Sequence, residues 1–391
     1  MTAAAFGTGA CSVATLHPAA DAGGKDSPGN GDLDSSAGGV GGGGHAGSGE
    51  AGAPDGSLGG RVVIPDGAAD GTAGARVDAA PAADAPTDVK ADAGSSDVRA
   101  DAGGTTDAVP FCTACTAYGT PQALAPSPSI LPELSGLAAS RVHPDLFYAH
   151  NDSGDSARFF AITAQAKVAA EIHLSSATAI DWEDISVGPC PAGSCVYIGD
   201  TGDNKADRTQ YMIYRVTEPA TLPSDGSVVT VTSYESFPFV YPDGPHNAET
   251  LMVHPQTGRV FIVLKETGVP APVYEMPLPL QKDTVVTLQQ VATLAIPPAE
   301  GLVTDGAFHP CGDRALIRTT GATGLFELAR LTGGTVPSIF GSTPVRVPVA
   351  SEPQGEAVTW ALDGRSYFTA SETVSGDPVP SLSQVACASA Q

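Results

Sequence analysis

Leu134-Ser135-Gly136-Leu137-Ala138-Ala139, Trp182-Glu183-Asp184-Ile185-Ser186-Val187, Ala248-Glu249-Thr250-Leu251-Met252-Val253, Val303-Thr304-Asp305-Gly306-Ala307-Phe308 and Gly355-Glu356-Ala357-Val358-Thr359-Trp360 share one short pattern. Each is followed by a turn, among them His143-Pro144, Gly188-Pro189, His254-Pro255, His309-Pro310 and Asp363-Gly364. A second apolar run comes next, such as Val196-Tyr197-Ile198-Gly199 or Val260-Phe261-Ile262-Val263, and in four of the five a third run with an aromatic, such as Met212-Ile213-Tyr214-Arg215. Anchored on Ser135, Glu183, Glu249, Thr304 and Glu356, the repeat recurs after 48, 66, 55 and 52 residues. Short strands and turns at such a period are the signature of an all-β propeller.

Fourth strands are expected at Val168–Ile172, Val228–Thr232, Leu288–Ala292 and Val345–Val349. The last repeat has no room for one, and Thr120–Ala125, ahead of the first repeat, is placed to supply it and close the ring. Five blades follow. Six is the alternative, because Phe237-Pro238-Phe239-Val240 in the longest interval reads as part of another strand pair.

The chain divides into residues 1–11, a tether over 12–110, and the propeller domain over 111–391. Gly, Ala, Asp, Ser and Pro dominate the tether, which includes Gly41-Gly42-Gly43-Gly44 and has almost no aromatics. Such a segment cannot bury enough apolar surface to offset chain entropy and is expected to be disordered. The net charge of −24 is spread over both parts and argues against nucleic-acid or anionic-membrane binding. No apolar run approaches transmembrane length.

Cys11, in Gly9-Ala10-Cys11-Ser12 ahead of the tether, resembles the lipidated cysteine that ends a bacterial lipoprotein signal. The stretch before it lacks a basic start and is short for a working signal, so either the signal extends upstream or Cys11 is an ordinary residue. The other six cysteines are an even number, as expected for disulfides in an exported, extracytoplasmic protein. Cys190 and Cys195 flank one turn and are expected to pair. Cys387 is expected to pair with Cys112 or Cys115, leaving Cys311 for the other.

The first strand of each propeller blade lines the axis, so Ser135, Glu183, Glu249, Thr304 and Glu356 are expected to form a ring around the channel. Carboxylates converging there repel unless protonated or neutralised, and an all-oxygen donor set suits a hard cation such as calcium. The alternative is that these carboxylates bond neighbouring strand amides, and Asp305 competes with Thr304 for its place. The ends of the second strands add Asp152 and Asp200 as candidate catalytic carboxylates, with Lys265, Arg318 and Glu372 as candidate ligand-binding residues. The His-Pro dipeptides at 143, 254 and 309 recur at one phase of the repeat and read as turn punctuation. No nucleophile elbow, phosphate-binding loop or zinc-protease helix motif is present.

The order hydroxyl, Glu, Glu, hydroxyl, Glu resembles that of the apyrase family of calcium-activated nucleotidases. Glu133-Leu134-Ser135-Gly136-Leu137 and Leu146–Asp152 are similar to that family's first blade. The resemblance implies a five-bladed propeller with one axial calcium and hydrolysis of nucleoside di- and triphosphates. Phytase-like and gluconolactonase-like propellers have similar openings. His150-Asn151-Asp152-Ser153-Gly154-Asp155, Asp181–Ile185 and Gly199–Asn204 also resemble phrases of uncharacterised secreted bacterial propellers, which implies no reaction. The expectation is a surface-tethered, monomeric propeller whose calcium-bearing channel binds a small ligand, phosphorylated or not, or a surface partner. A calcium-dependent phosphohydrolase is the alternative. The membrane enters only through a lipid anchor.

Overall fold

A computed structural model describes Cys112 and residues 115–388. The stretch 1–11 with Cys11 and the expected tether over 12–110 lie outside the described residues. The closing strand β1 (Gln122–Pro126) comes first in the chain. Blade 1 runs outward through β2 (Leu134–Ala139), β3 (Leu146–Asn151), β4 (Arg158–Thr163) and β5 (Val168–Leu174). Blade 2 takes β6 (Trp182–Cys190), β7 (Gly193–Asp200), β8 (Tyr211–Thr217) and, after β9 (Ser227–Val231), β10 (Glu235–Val240). Blade 3 takes β11 (Ala248–Val253), β12 (Val260–Leu264), β13 (Pro272–Glu275) and, after β14 (Val286–Thr287), β15 (Gln289–Thr293). Blade 4 is β16 (Val303–Phe308), β17 (Arg314–Thr319), β18 (Leu325–Ala329) and β19 (Val345–Arg346). Blade 5 is β20 (Gly355–Trp360), β21 (Ser366–Ser371) and β22 (Ser381–Ala386), completed by β1 pairing antiparallel to β22. The protein is therefore a five-bladed β-propeller, with the ring closed as the sequence led us to expect.

Two strands lie elsewhere than expected. Phe237–Val240 belongs to β10, the true fourth strand of blade 2, so the long interval holds no sixth blade. The Val228–Thr232 run forms β9, which crosses back and pairs parallel to β5 on the edge of blade 1. β14 repeats the device, pairing parallel to β10 of blade 2. In both cases a segment between a blade's third and fourth strands covers the open edge of the preceding blade.

Inner strands such as β11, β20 and β16 are buried almost throughout because blades pack on both their faces. Trp182 sits edge-on to His150 of blade 1, and Trp360 to His309 of blade 4. The His-Pro turns tie the blades together. Nε2–H of His143, His254 and His309 donates to the carbonyls of Pro219, Gly312 and Gly364 at 2.7, 3.0 and 3.1 Å.

Three disulfides, Cys190–Cys195, Cys115–Cys387 and Cys112–Cys311, lie at the end of the barrel where inner strands finish. At that end Leu137, Ile185, Val253, Phe308 and Trp360, together with the polar Arg141, Ser186 and Thr359, line a cavity of about 90 Å³. The polar mouth is at the opposite end.

Candidate metal centre at the channel mouth

Each inner strand carries a β-bulge against its neighbour, and the skipped residues are Ser135, Glu183, Glu249, Thr304 and Glu356. A bulge re-aims the side chain of the extra residue, so the five expected ring positions are structurally equivalent. Their bonding divides them. Ser135 Oγ donates to the Glu183 carbonyl at 2.6 Å, and Thr304 Oγ1 to the Gly355 carbonyl at 3.1 Å. These hydroxyls link blade 1 to blade 2 and blade 4 to blade 5. Glu249 accepts a charge-assisted bond from Lys265 Nζ.

Glu183 is 2% exposed, and its Oε1 has no hydrogen-bond partner. Burial pushes its carboxyl well above the usual range, and Glu249, Asp152 and Asp181 add to the shift. Asp152 and Asp181 stand beside it, each of the three offering an oxygen within 4.8 Å of the others. Burial, then Asp152, pushes Asp181 up to about 6. An unpartnered buried carboxylate beside two more is an arrangement that a cation would satisfy.

Three sequence phrases build this place. Asp152 comes from the first, at the exit of β3, where its N–H donates to the Glu133 carbonyl at 2.9 Å. Asp181 and Glu183 come from the second, at the entry of β6. The third supplies Gly202, whose absent side chain leaves the space: a Cβ there would run into Glu183 Oε1 and the Asp181 carboxylate. Gly202 and Thr201 donate to the Asp181 carbonyl at 3.2 and 3.1 Å. Behind them Asp200 accepts the N–H groups of Ile180 and Asp181, both at 3.1 Å, and pairs with Arg208 at 2.9 Å. Arg208 Nη1 also donates to the Gly202 carbonyl at 2.7 Å. Asp200 is 1% exposed with its oxygens bonded, so it positions Asp181.

A second group faces the first across the mouth. Glu249, Glu356 and Glu372 are each pushed up to about 7, by burial first. Among charged neighbours, Lys265 opposes the shift at Glu249, while Glu249 and Glu356 raise Glu356 and Glu372 respectively. Gln354 Nε2 donates to Glu372 at 2.5 Å. Arg318, expected at the mouth, is fully buried; it donates to the Thr319, Gly321 and Gly324 carbonyls and pairs with Glu352 at 3.0 Å. As a clasp between blades 4 and 5 it is out of a ligand's reach.

One step deeper, Asp184 and Asp305 follow the bulges of blades 2 and 4. Asp184 Oδ2 accepts Leu251 N–H and Asp305 Oδ2 accepts Val358 N–H, both at 2.6 Å, so each latches the next inner strand. Burial, then Asp305, pushes the Asp184 carboxyl well above the usual range, and burial pushes Asp305 up to about 8. Sequence reasoning weighed Asp305 only as a substitute for Thr304, and gave Asp184, Asp181 and Gly202 no role. The acidic pair Glu183-Asp184 beside Asp181 was the available signal.

Among solved structures, the chain is similar to a luciferin-regenerating enzyme, at 11% identity over 66% of this chain and 92% of that one, with a TM-score of 0.36. It is also similar to a candidate 6-phosphogluconolactonase from Bacteroides uniformis, at 10% identity over 66% and 72%, with a TM-score of 0.33. No protein-family model and no curated protein matches the chain. The five blades are read from the sheets themselves.

Proposed function

We propose that this protein is an extracytoplasmic binding propeller that holds a calcium-type cation at its channel mouth and uses it to seat a ligand or surface partner. The observation that carries the reading is the buried, unpartnered Glu183 Oε1 beside the Asp152 and Asp181 carboxylates. Three carboxylates with no nitrogen or sulfur donor suit a hard cation, and calcium accepts an irregular oxygen cage more readily than magnesium does. The proposed site keeps Glu183 of the expected five-residue ring and takes its other two carboxylates from Asp152 and Asp181, outside that ring. Three disulfides fit an oxidising compartment. The phosphohydrolase reading has less support, because Arg318 is buried and Lys265 is engaged by Glu249.

Thermal melting tests the cation. At a hundredfold excess over its dissociation constant, calcium should stabilise the fold by about 2.7 kcal/mol through linkage. Asp181→Asn should weaken that response, and Gly202→Ala should abolish it by filling the space between the carboxylates. Asp225→Asn, at an exposed turn, should leave it intact. Melting indifferent to calcium, magnesium and chelator alike would remove the proposal.

A further inference from the structure

We infer that the ligand taken at this mouth is a neutral polyol presenting vicinal hydroxyls, and not a phosphate ester. The inference rests on the cation proposed above and concerns what completes its coordination. The positive side chains set among the mouth carboxylates are engaged: Lys265 on Glu249, Arg208 on Asp200 and the Gly202 carbonyl. Arg318 is buried against Glu352, and Lys205 stands exposed on the loop beyond. The Gln354 amide, another donor, is directed at Glu372. The remaining groups are acceptors: Glu133, Asp152, Asp181, Glu183, Glu356 and Glu372. Even with a divalent cation bound, carboxylates outnumber positive charges, so the mouth calls for a ligand that donates protons without bringing negative charge.

Three ligand chemistries can be set against that requirement. A phosphate ester coordinates the cation but places further negative charge beside Glu356 and Glu372, while among the described mouth side chains the cations set between the carboxylates are already engaged and the exposed Lys205 lies on the loop beyond. An alkylammonium suits those glutamates but is repelled by the cation and has no lone pair to give it. A vicinal diol serves both sides. Its oxygens occupy open positions of a calcium shell that takes six to eight oxygens, and its O–H groups donate to the facing carboxylates.

Titration calorimetry on the full chain tests this in two stages, first with calcium alone. Calcium-saturated protein is then titrated with methyl α-D-mannoside, methyl β-D-galactoside, myo-inositol, glucose 6-phosphate and ATP. At least one neutral polyol should bind in calcium and lose binding in chelator, and its analogue lacking one of the paired hydroxyls should bind at least about tenfold more weakly. Glu372→Gln should weaken polyol binding by about tenfold while leaving calcium affinity within about twofold. Calcium binding with no polyol bound, or with a phosphorylated probe bound more tightly than every neutral one, overturns this inference and leaves the cation reading standing. No calcium binding in the first titration overturns both.

Discussion

Arg318 and Glu249 both stand where the repeat phase points at the channel, yet one is sealed inside the barrel and the other faces the mouth. What separates them is local. Gly355 leaves room beside the Arg318 guanidinium, which a Cβ there would occupy, and Glu352 and three carbonyls take its donors. Removing one partner leaves a buried charge uncompensated. Arg318→Ala should therefore cost about 3–5 kcal/mol in urea unfolding, with the calcium response of the folded protein retained. Unchanged stability would return Arg318 to the list of ligand-binding candidates. The phase of the five bulge residues was legible because acidic or hydroxyl residues recur there among apolar ones. Their bonding was not, since Lys265 reaches Glu249 from another strand and Ser135 bonds a carbonyl of the next blade. Spacing along the chain says nothing of such partners, whether within a blade or across blades.

At the scale of strands, alternation and turn chemistry located nearly every element, but a strand's pattern does not name its partner. β9 has the apolar residues of a blade strand and was assigned to blade 2. Its parallel pairing with β5 comes from the chain's excursion between β8 and β10, which only the fold reveals. The closure by β1 was legible because the last repeat was visibly one strand short. That closure is reinforced covalently. Cys115–Cys387 joins positions 272 residues apart, whereas Cys190–Cys195 joins positions 5 apart. In the chain-entropy model, the long link restricts the unfolded chain by about 6 kcal/mol and the short one by about 2. Cys115→Ser with Cys387→Ser should thus lower the urea midpoint more than Cys190→Ser with Cys195→Ser. Equal losses would mean that β1 pairing alone holds the ring shut.

The whole molecule concentrates buried acid on its axis, and this makes its stability depend on protons and cations together. Asp305 is pushed up to about 8, Glu249, Glu356 and Glu372 to about 7, and Asp181 to about 6. Burial is the first cause at each. All five lie above the ordinary carboxylate range, so between about pH 4 and pH 8 these five groups hold more protons in the folded chain than in the unfolded one. Their contribution is complete below the unfolded values and is lost as pH rises through the folded ones. In chelator, the melting temperature should therefore fall from about pH 5 to about pH 8.5. Partly exposed Glu372 should contribute less than Asp305. Asp305→Asn keeps an oxygen for the Val358 N–H and removes the highest of these titrations, so it should flatten the upper part of the decline. A cation among Asp152, Asp181 and Glu183 replaces protons as the source of neutralisation, and its stabilising effect should grow with pH as Asp181 and Glu183 lose their protons to solvent. A calcium response largest at about pH 5, or a chelated protein more stable at about pH 8.5, would mean that the axial carboxylates are already ionised and satisfied by the protein itself.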